Sequence, residues 1–473
     1  MTPAGSSAMI DENIIHALRE IVGPEHVLTD PEDLLLYAYD ASIHSGRPDV
    51  VVLPESTEQV SRIMALAHAH RIPIIPRGGG TNLSGGSVAS QGGIVLTLSR
   101  MTKVREIDIP NQRAVVEAGL YNLTLQEILA PYGYLYAPDP ASQKVSTLGG
   151  NVAENAGGPH CLKYGVTTNH VLGLEVVLHD GRVIQLGGKA FDTPGYDLVG
   201  LLVGSEGTLG VVTAVTVRLL HVPEAIKTML AIFDDLDGAS QAVSDIIAAG
   251  IVPATLEMMD QLMMRAVEEA THAGYPTDAE AVLIIELDGL KDGMEEIAEQ
   301  IVEICRRNRA RAVQVARTAE ERDKLWAGRR GAFGATGRIK PAYLVNDGTV
   351  PRTALPQVLR QVREIGQRYG LPIGNVFHAG DGNLHPLILF DPREEGILEL
   401  VERAGAEIMR ICVEAGGTIT GEHGIGLEKI HGMPLIASPA AIQAMRWVKE
   451  AFDPSGLLNP GKVLPQTSVG VPS

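Results

Sequence analysis

The amino-acid sequence predicts an α+β protein with two domains, each containing helices and strands. Up to about residue 222, helical and strand-like patterns surround three glycine-rich stretches. From about residue 223, long apolar strands alternate with amphipathic helices. The chain has 473 residues and 45% apolar content, so it can bury more than one hydrophobic core.

The first glycine-rich stretch follows a predicted helix and strand. Ser56 and Gln59 have capping-box spacing, and apolar residues recur at helical period after them. A short strand from Ile72 to Ile75 then leads into PRGGGTNLSGG (76–86). Because glycine readily adopts positive φ angles, this loop could turn consecutive N–H groups towards an anion.

Two more glycine-rich stretches lie in the same domain: TLGGNVAENAGG (147–158), and GSEGTLGVV (204–212), which runs into a strand. A single stretch would suit an ordinary tight turn equally well. Three of them favour a ligand with two phosphates and flat rings, which means a dinucleotide. Neither the GxGxxG arrangement of a Rossmann NAD site nor the GxxxxGK[ST] of a P-loop occurs.

The second domain contains the predicted strands TMLAIFDD, PATLEMM and AVLIIELDG. The segments GASQAVSDIIAAG and GMEEIAEQIVEICRRN are predicted helices. Their order predicts a ferredoxin-like antiparallel sheet covered by helices. The tail AAIQAMRWVKEAFDPSGLLNPGKV predicts a final helix, a Pro/Gly stop and an extended end.

Charge and cysteine content limit the partners and the compartment. The net charge of −18 argues against a nucleic-acid surface. Three cysteines, Cys161, Cys305 and Cys412, are far apart, which favours a reducing cytoplasm and provides no iron–sulfur cluster within this chain. We expect neither a signal peptide nor a transmembrane segment, while peripheral attachment to the inner membrane through a partner stays open.

Two histidines flank a Gly-Asp-Gly-Asn run in GNVFHAGDGNLHPLILF (374–390). If Asp381 and Gly382 form a two-residue turn, His378 and His385 are directly opposite, with Cβ atoms about 5 Å apart. Two imidazoles at that separation could share a metal ion, although a histidine pair beside a turn is often structural. Asp381 could orient one imidazole, or it could simply form the turn.

A metal site with an open position needs a third ligand. The glycine-flanked segment GGTITGEHGIGLEK provides Glu422 beside His423. Two histidines and a glutamate suit Zn, Mn or Fe. A substrate carboxylate is matched by the planar fork of an arginine, and LWAGRRGAFG contains Arg329 and Arg330. Adjacent arginines can equally form a solvated face.

PRGGGTNLSGG, GGNVAENAGGPHCLKYG, GSEGTLGVVT and the terminal NPGK resemble the FAD-binding vanillyl-alcohol-oxidase superfamily, also called PCMH-type. Within it, the sequence is most similar to the branch containing the glycolate oxidase D subunit, D-lactate dehydrogenase and D-2-hydroxyglutarate dehydrogenase. The resemblance extends from about residue 30 to about residue 465.

The resemblance implies an α+β fold with a two-subdomain PCMH-type FAD-binding domain (1–222) and a ferredoxin-like antiparallel-sheet substrate, or cap, domain (223–420). The second would carry the metal-binding hairpin, and a C-terminal segment (421–473) would return to the FAD domain. FAD would lie between the two subdomains, with its pyrophosphate on loop 76–86.

Non-covalent FAD is implied, because Thr81 stands where covalently linked members carry a histidine; His160 and Cys161 are the other attachment candidates. The predicted cofactor-binding residues are Pro76, Arg77, Gly78, Gly79, Gly80, Thr81, Asn82, Ser84, Gly85, Pro138, Thr147, Gly149, Gly150, Asn151, Asn155, Gly157, Gly158, Glu206, Gly210, Val211 and Asn459.

The resemblance also implies a reaction, the oxidation of a small D-2-hydroxy acid such as glycolate or D-lactate to the 2-oxo acid. The implied metal ligands are His378, His385 and Glu422, with Zn the first choice and Mn or Fe as alternatives. His423 would take the hydroxyl proton while the C2 hydrogen leaves as hydride to flavin N5. Arg329 would bind the substrate carboxylate, with Arg330 left open.

Electrons would pass to a quinone, a cytochrome, an electron-transfer flavoprotein or oxygen. Companion flavin-like and iron–sulfur subunits are compatible with the resemblance, and so is a stand-alone D-2-hydroxyglutarate dehydrogenase. Two other classes remain as rivals. One is a His₂Glu metal hydrolase whose glycine-rich stretches are mere turns, and the other is a non-catalytic nucleotide-binding scaffold.

Overall fold

The structure is a computed structural model that describes residues 10–190 and 194–466. The first nine residues, part of the stretch in which the sequence predicts no signal peptide, lie outside the described residues. The chain forms two compact units. The first contains the chain up to Gly157, Val166–His221 and the chain from Glu422 onward, and the second contains Gly158–Gly165 and Val222–Gly421.

The helices and strands follow in chain order. Up to residue 221 they are α1 (Glu12–Val22), β1 (Val27–Leu28), α2 (Pro31–Leu35), β2 (Val50–Val52), α3 (Thr57–His70), β3 (Ile74–Arg77), β4 (Ile94–Thr97), β5 (Val104–Asp108), β6 (Arg113–Glu117), α4 (Asn122–Leu129), β7 (Tyr134–Leu135), α5 (Leu148–Glu154), α6 (Cys161–Tyr164), β8 (Val171–Val177), β9 (Val183–Gly187), α7 (Leu198–Leu202), β10 (Val211–Arg218) and β11 (Leu220–His221). From residue 222 onward they are β12 (Ala225–Phe233), α8 (Leu236–Ala248), β13 (Thr255–Asp260), α9 (Gln261–Thr271), β14 (Ala281–Gly289), α10 (Met294–Arg307), β15 (Ala310–Val315), α11 (Ala319–Ala335), β16 (Ala342–Val345), β17 (Gly348–Thr349), α12 (Leu355–Tyr369), β18 (Ile373–His378), β19 (Asn383–Leu384), β20 (Pro386–Phe390), α13 (Ile397–Glu414), α14 (Met433–Ile436) and α15 (Pro439–Phe452).

The first unit has two main sheets with separate hydrophobic cores. In the four-stranded sheet β1-β2-β4-β3, strands β2 and β3 run parallel to β4. The five-stranded sheet β5-β6-β10-β8-β9 is antiparallel throughout. Leu18 of α1 and Ile63 of α3 belong to one core, whereas Leu125 of α4 and Val152 of α5 belong to the other. The predicted α+β class is confirmed.

Helix α3 begins as its sequence predicts. The Ser56 hydroxyl accepts a hydrogen bond from the Gln59 N–H, and the Gln59 side chain accepts one from the Glu55 N–H at 2.8 Å. The second contact is one residue earlier than a standard capping box, in which the Ser56 N–H would be the donor. Strand β3 lies two residues later than predicted and ends at Arg77.

The second unit contains one nine-stranded sheet whose strand pairs are antiparallel. Four strands form an antiparallel sheet in the spatial order β15-β12-β14-β13. The first and third of them along the chain, β12 and β14, lie at the centre, as the ferredoxin-like prediction requires. The antiparallel pairing of β13 with β18 extends this sheet. The extension matters for the site because β18 ends at His378.

The segment Gly158–Gly165 departs from the predicted domain division. The sequence placed it in the first domain, but it belongs to the second unit. Lys163 and Tyr164 both bond to Asp288 of β14, and the Thr255 hydroxyl of β13 donates to the carbonyl oxygen of Pro159. Contacts between distant parts of the chain override sequence proximity here.

Among the described residues, we find no helix that combines the length and the apolar character needed to cross a bilayer.

Candidate active site

The hairpin that carries His378 and His385 has a wider turn than predicted. His378 pairs with Asn383, not with His385, so residues 379–382 form a four-residue connection. The Asp381 carboxylate accepts a hydrogen bond from the Asn383 N–H, and Gly382 has a φ of +79°. The prediction of a two-residue turn was therefore wrong, because Asp381 closes the wider turn through its side chain.

The two histidines nevertheless lie close together. The register of β18 with β20 pairs Asn375 with Pro386, which places His385 opposite Val376, two residues before His378. Residues two apart on a strand face the same side of the sheet. The two ring centroids are 5.1 Å apart, and a ring nitrogen of each lies within 4.8 Å of one on the other.

A buried carboxylate fixes the orientation of His378. Glu257 on β13 is the cross-strand partner of His378 and is only 1% exposed. Its Oε1 lies 2.6 Å from Nδ1 of His378. Since an ionised carboxylate only accepts hydrogen bonds, Nδ1–H of His378 donates to Glu257. The sequence pattern gave no sign of this glutamate's role.

The same glutamate holds Arg329. Oε2 of Glu257 lies 2.7 Å from Nε and 2.6 Å from Nη2 of Arg329, which lies on α11 and is 5% exposed. Burial acts to raise the pKa of Glu257, but His378 and Arg329 outweigh it and lower the pKa below its usual value. Arg330 is exposed, so only Arg329 belongs to this buried cluster.

His385 lies beside a second buried carboxylate. Nε2 of His385 is 3.4 Å from Oδ1 of Asp347, a residue with 0% exposure. The other Asp347 oxygen accepts hydrogen bonds from the Thr420 hydroxyl at 2.6 Å and from the Gly421 N–H at 3.0 Å. Asp347 therefore fixes the backbone directly before Glu422 within the second unit.

Glu422 and His423 are the first two residues of the last segment of the first unit. The Ser84 hydroxyl donates to the carbonyl oxygen of His423 at 2.9 Å. The two oxygens of Glu206 accept hydrogen bonds from the N–H groups of Ile425 and Gly426, both at 2.7 Å. Loops 76–86 and 204–212 thus position the backbone around His423.

The buried Glu206 lies beside a second, partly buried carboxyl group, that of Glu154. A Cβ on Gly424 would lie 2.6 Å from Oε2 of Glu154 and 2.8 Å from Oε1 of Glu206, so a larger residue there would displace these carboxyl groups. Burial and then Glu206 raise the pKa of Glu154 well above its usual value. Burial also raises the pKa of Glu206, although its two backbone donors act in the opposite direction.

The first glycine-rich loop owes its glycines mainly to close packing. Of Gly78, Gly79 and Gly80, only Gly80 has a positive φ, at +67°. A Cβ on Gly78 would overlap the Thr147 hydroxyl, and one on Gly79 would overlap the carbonyl oxygen of Val145. At Gly78 and Gly79 glycine is therefore required because the chain at 145–147 approaches too closely for any side chain.

The second glycine-rich stretch is mostly helical. Thr147 caps α5 by accepting a hydrogen bond from the Gly150 N–H, so Gly149, Gly150 and Asn151 lie in the first turn of a helix and not in a loop. The helix ends at Glu154, and its C-cap residue Asn155 has a φ of +53°. Thr147 supplied the N-cap signal that would have predicted this helix.

The polar side chains predicted to bind the cofactor also bond to the protein. Nη1 of Arg77 donates to the carbonyl oxygen of Tyr39 at 2.8 Å, and Asn82 donates to Asp40 at 2.6 Å. Asn459 donates to the carbonyl oxygens of Gly86 and Glu206. Of the predicted cofactor-binding residues, Gly158 lies in the second unit and the others lie in the first.

Two family profiles match the chain. The first, described as the FAD linked oxidases C-terminal domain, matches residues 222–463, and the second, an FAD binding domain, matches residues 48–187. The chain belongs to the FAD-linked oxidase family.

Similar proteins and solved structures support the assignment to the FAD-linked oxidase family. The chain is 48% identical to the glycolate oxidase subunit GlcD of Escherichia coli K12 over 96% of this chain and 91% of that protein. It is 45% identical to the Bacillus subtilis GlcD (96% and 97% covered) and 35% identical to a D-lactate dehydrogenase of Archaeoglobus fulgidus (88% and 91% covered). The 4-ethylphenol oxidase from Gulosibacter chungangensis, solved with isoeugenol, has the same fold, with a TM-score of 0.79, 19% identity and 98% and 99% coverage.

Membership of the FAD-linked oxidases confirms the predicted superfamily, FAD as cofactor and an oxidoreductase activity. It decides against the metal hydrolase and the non-catalytic scaffold. His160, one of the two candidates for covalent attachment, lies in the second unit, stacked on Trp326 at 6.0 Å between ring centroids and 3.4 Å from Glu286.

Proposed function

We propose that this FAD-linked oxidase oxidises glycolate or D-lactate, small D-2-hydroxy acids, to the corresponding 2-oxo acid. The observation that carries the proposal is the buried histidine pair, His378 and His385, with Arg329 joined to it through Glu257. The names of the relatives, glycolate oxidase subunit and D-lactate dehydrogenase, support this class of substrate.

The first unit would hold FAD, without a covalent bond, on residues of the glycine-rich stretches 76–86, 147–157 and 204–212. FAD, when bound, accepts the hydride from C2 of the acid. The fit is supported by the close approach of the 76–86 backbone to residues 145–147, which brings two of these segments together. Arg77 adds a buried cation beside them.

We propose His378, His385 and Glu422 as ligands of a divalent metal ion, with Zn first and Mn or Fe as alternatives. The histidines fit this role, because Glu257 orients His378 through Nδ1 and a ring nitrogen of His378 lies within 4.8 Å of one of His385. A divalent ion at this site would supply a Lewis acid that lowers the pKa of the substrate hydroxyl.

Two further residues act on the substrate in this proposal. Arg329 binds the carboxylate, because Glu257 occupies its Nε–Nη2 edge and leaves Nη1 to donate. His423 removes the hydroxyl proton, a role for which an imidazole is suited. The backbone of His423 is held by Ser84 and the following residues by Glu206, which keeps the base in one position.

The electrons must leave through a second molecule, a quinone, a cytochrome or a flavoprotein. Because the closely similar GlcD proteins are named as subunits, we propose that companion chains take part. We place the protein in the cytoplasm, or at the inner membrane through such partners, since no disulfide joins any of its three cysteines.

An anaerobic absorbance titration tests the function. The purified protein should show a flavin spectrum that bleaches on addition of glycolate or D-lactate but not L-lactate. The same panel should include D-2-hydroxyglutarate, which tests the stand-alone alternative. A flavin spectrum that none of the acids bleaches, after reconstitution with Zn or Mn, would contradict the proposal.

A further inference from the structure

We propose that Glu257 is a positioning residue that sets the metal ligand His378 and the substrate-binding Arg329 in one fixed arrangement. This inference rests on the proposed function, because it takes the roles of His378 and Arg329 from there. It adds a residue that neither the glycine-rich motifs nor the His and GEHG motifs contain.

The first argument is the position of Glu257 in the sheet. It lies on β13 between β14 and β18, opposite His378 in one pairing and opposite Ile284 in the other. Directly opposite residues project to the same face with Cβ atoms about 5 Å apart. The short distance to His378 is therefore built into the sheet register and does not depend on a flexible loop.

The second argument is that both carboxylate oxygens are used, each for a different partner. Oε1 is 2.6 Å from Nδ1 of His378, and Oε2 is 2.6 and 2.7 Å from two nitrogens of Arg329. With all three side chains below 10% exposure, water does not substitute for these bonds. Rotating Glu257 would disturb the imidazole and the guanidinium together.

Through these contacts, Glu257 selects the tautomer of His378 and the edge of the Arg329 guanidinium that faces the substrate. Glu257 accepts from Nδ1–H, so His378 presents Nε2 to a metal ion. It also occupies the Nε–Nη2 edge of Arg329, so the carboxylate of a hydroxy acid meets Nη1. A glutamine at 257 would place an NH₂ donor against one of these donors and would release one of the two partners.

The test compares metal affinity and anion binding in a set of variants. Metal is removed from three variants, Glu257→Gln, Arg329→Gln and the double variant, and each is titrated with Zn²⁺. Binding of oxalate to the same variants is followed through the flavin spectrum. We expect Zn²⁺ to bind about 10- to 100-fold more weakly to Glu257→Gln than to wild type. The double variant should show the same loss relative to Arg329→Gln, in which Glu257 still contacts His378.

Asp260→Asn is the matched control, since Asp260 is a buried carboxylate on the same strand that bonds to Met263 and Asn375. Its Zn²⁺ affinity should stay within threefold of wild type. Glu257→Asp, which keeps the charge, should recover part of the affinity. FAD content identifies any variant that fails to fold, and in that case the comparison of the double variant with Arg329→Gln decides.

Two outcomes count against the inference, and they differ. If wild type binds Zn²⁺ and both variants lacking Glu257 bind it equally well, Glu257 has no positioning role and the proposed function stands. If wild type itself binds no Zn²⁺, Mn²⁺ or Fe²⁺, the proposed metal site fails and this inference fails with it.

Discussion

Glu206 and Gly426 are joined by a 2.7 Å hydrogen bond from the backbone N–H to the buried carboxylate, 220 residues apart in the chain. We expect Glu206→Ala to lower the free energy of unfolding by about 2 to 4 kcal/mol, since two hydrogen bonds to a charged group are lost. It should also lower kcat, because the loop after His423 loses its anchor.

Urea unfolding of the FAD-saturated protein and steady-state kinetics check both effects of Glu206→Ala. Glu127→Ala, at an exposed position of α4 in the same unit, is the control and should change neither. A variant with wild-type stability and wild-type kcat would show that the hydrogen bonds of Glu206 do not hold this loop.

Gly79→Ala should impair FAD retention, because its Cβ would overlap the Val145 carbonyl oxygen and a backbone segment would have to shift. Gly188→Ala is the matched control, since no atom lies within 4 Å of the added Cβ. Flavin content per protein after gel filtration is the measurement. Equal flavin content in the two variants would mean that the 76–86 loop tolerates displacement.

Lys462 gives a pH dependence of stability. Burial lowers its pKa to about 8, whereas nearby Asp40, Glu206 and Glu154 act to raise it. Between pH 8 and pH 10 the unfolded chain binds this proton more strongly than the folded protein does, so stability rises with pH in that window.

We expect the free energy of unfolding of wild type to increase relative to Lys462→Met by about 2 kcal/mol from pH 8 to pH 10. Denaturant unfolding of both proteins at several pH values checks this. A constant difference between them would mean that Lys462 titrates near its ordinary pKa in the folded protein.

Arg329→Lys should raise KM for the hydroxy acid about 10- to 100-fold, since an ammonium group cannot make paired contacts with both Glu257 and a carboxylate. Arg330→Lys is the natural control, because Arg330 is exposed. Initial-rate kinetics with glycolate and D-lactate separate the two arginines. A larger increase in KM for Arg330→Lys than for Arg329→Lys would mean that Arg330 binds the carboxylate.

His423→Ala should retain bound FAD and lose its reduction by substrate, because the hydroxyl proton would have no acceptor. Stopped-flow absorbance under anaerobic conditions measures the reduction rate, and photoreduction of the flavin controls for its reactivity. Substrate reduction at the wild-type rate would remove His423 from the reaction.

Local patterns predicted most secondary structure, but not the partners of the buried charges. The segment PATLEMM was correctly predicted as a strand, yet the role of Glu257 depends on its register with β18, about 120 residues later. Sequence alone does not fix such a register. His378 and His385 were still predicted to be close, because the wider turn moved the pairing by two residues and kept both on one face.

In the glycine-rich loops, too, the sequence predicted the local feature but not the distant residues that it contacts. The sequence predicted a glycine-rich loop at 76–86, but not that the neighbouring chain at 145–147 excludes side chains at Gly78 and Gly79. Thr147 was a recognisable N-cap signal for α5, but the stretch 147–158 was interpreted as a glycine-rich loop and the helix was not predicted. Asp347 gave no local signal, because its partners lie at His385 and Thr420.

The last segment of the chain completes the first unit. Leu458 pairs with Ile74 at the edge of β3, and the Asn459 N–H donates to the Ile74 carbonyl oxygen at 2.8 Å. During synthesis on the ribosome, the residues of the first unit up to His221 must therefore wait while Val222–Gly421 is translated. The second unit has all its residues available before the first does, so a nascent chain stalled before residue 422 would expose an unfinished flavin domain to chaperones and proteases.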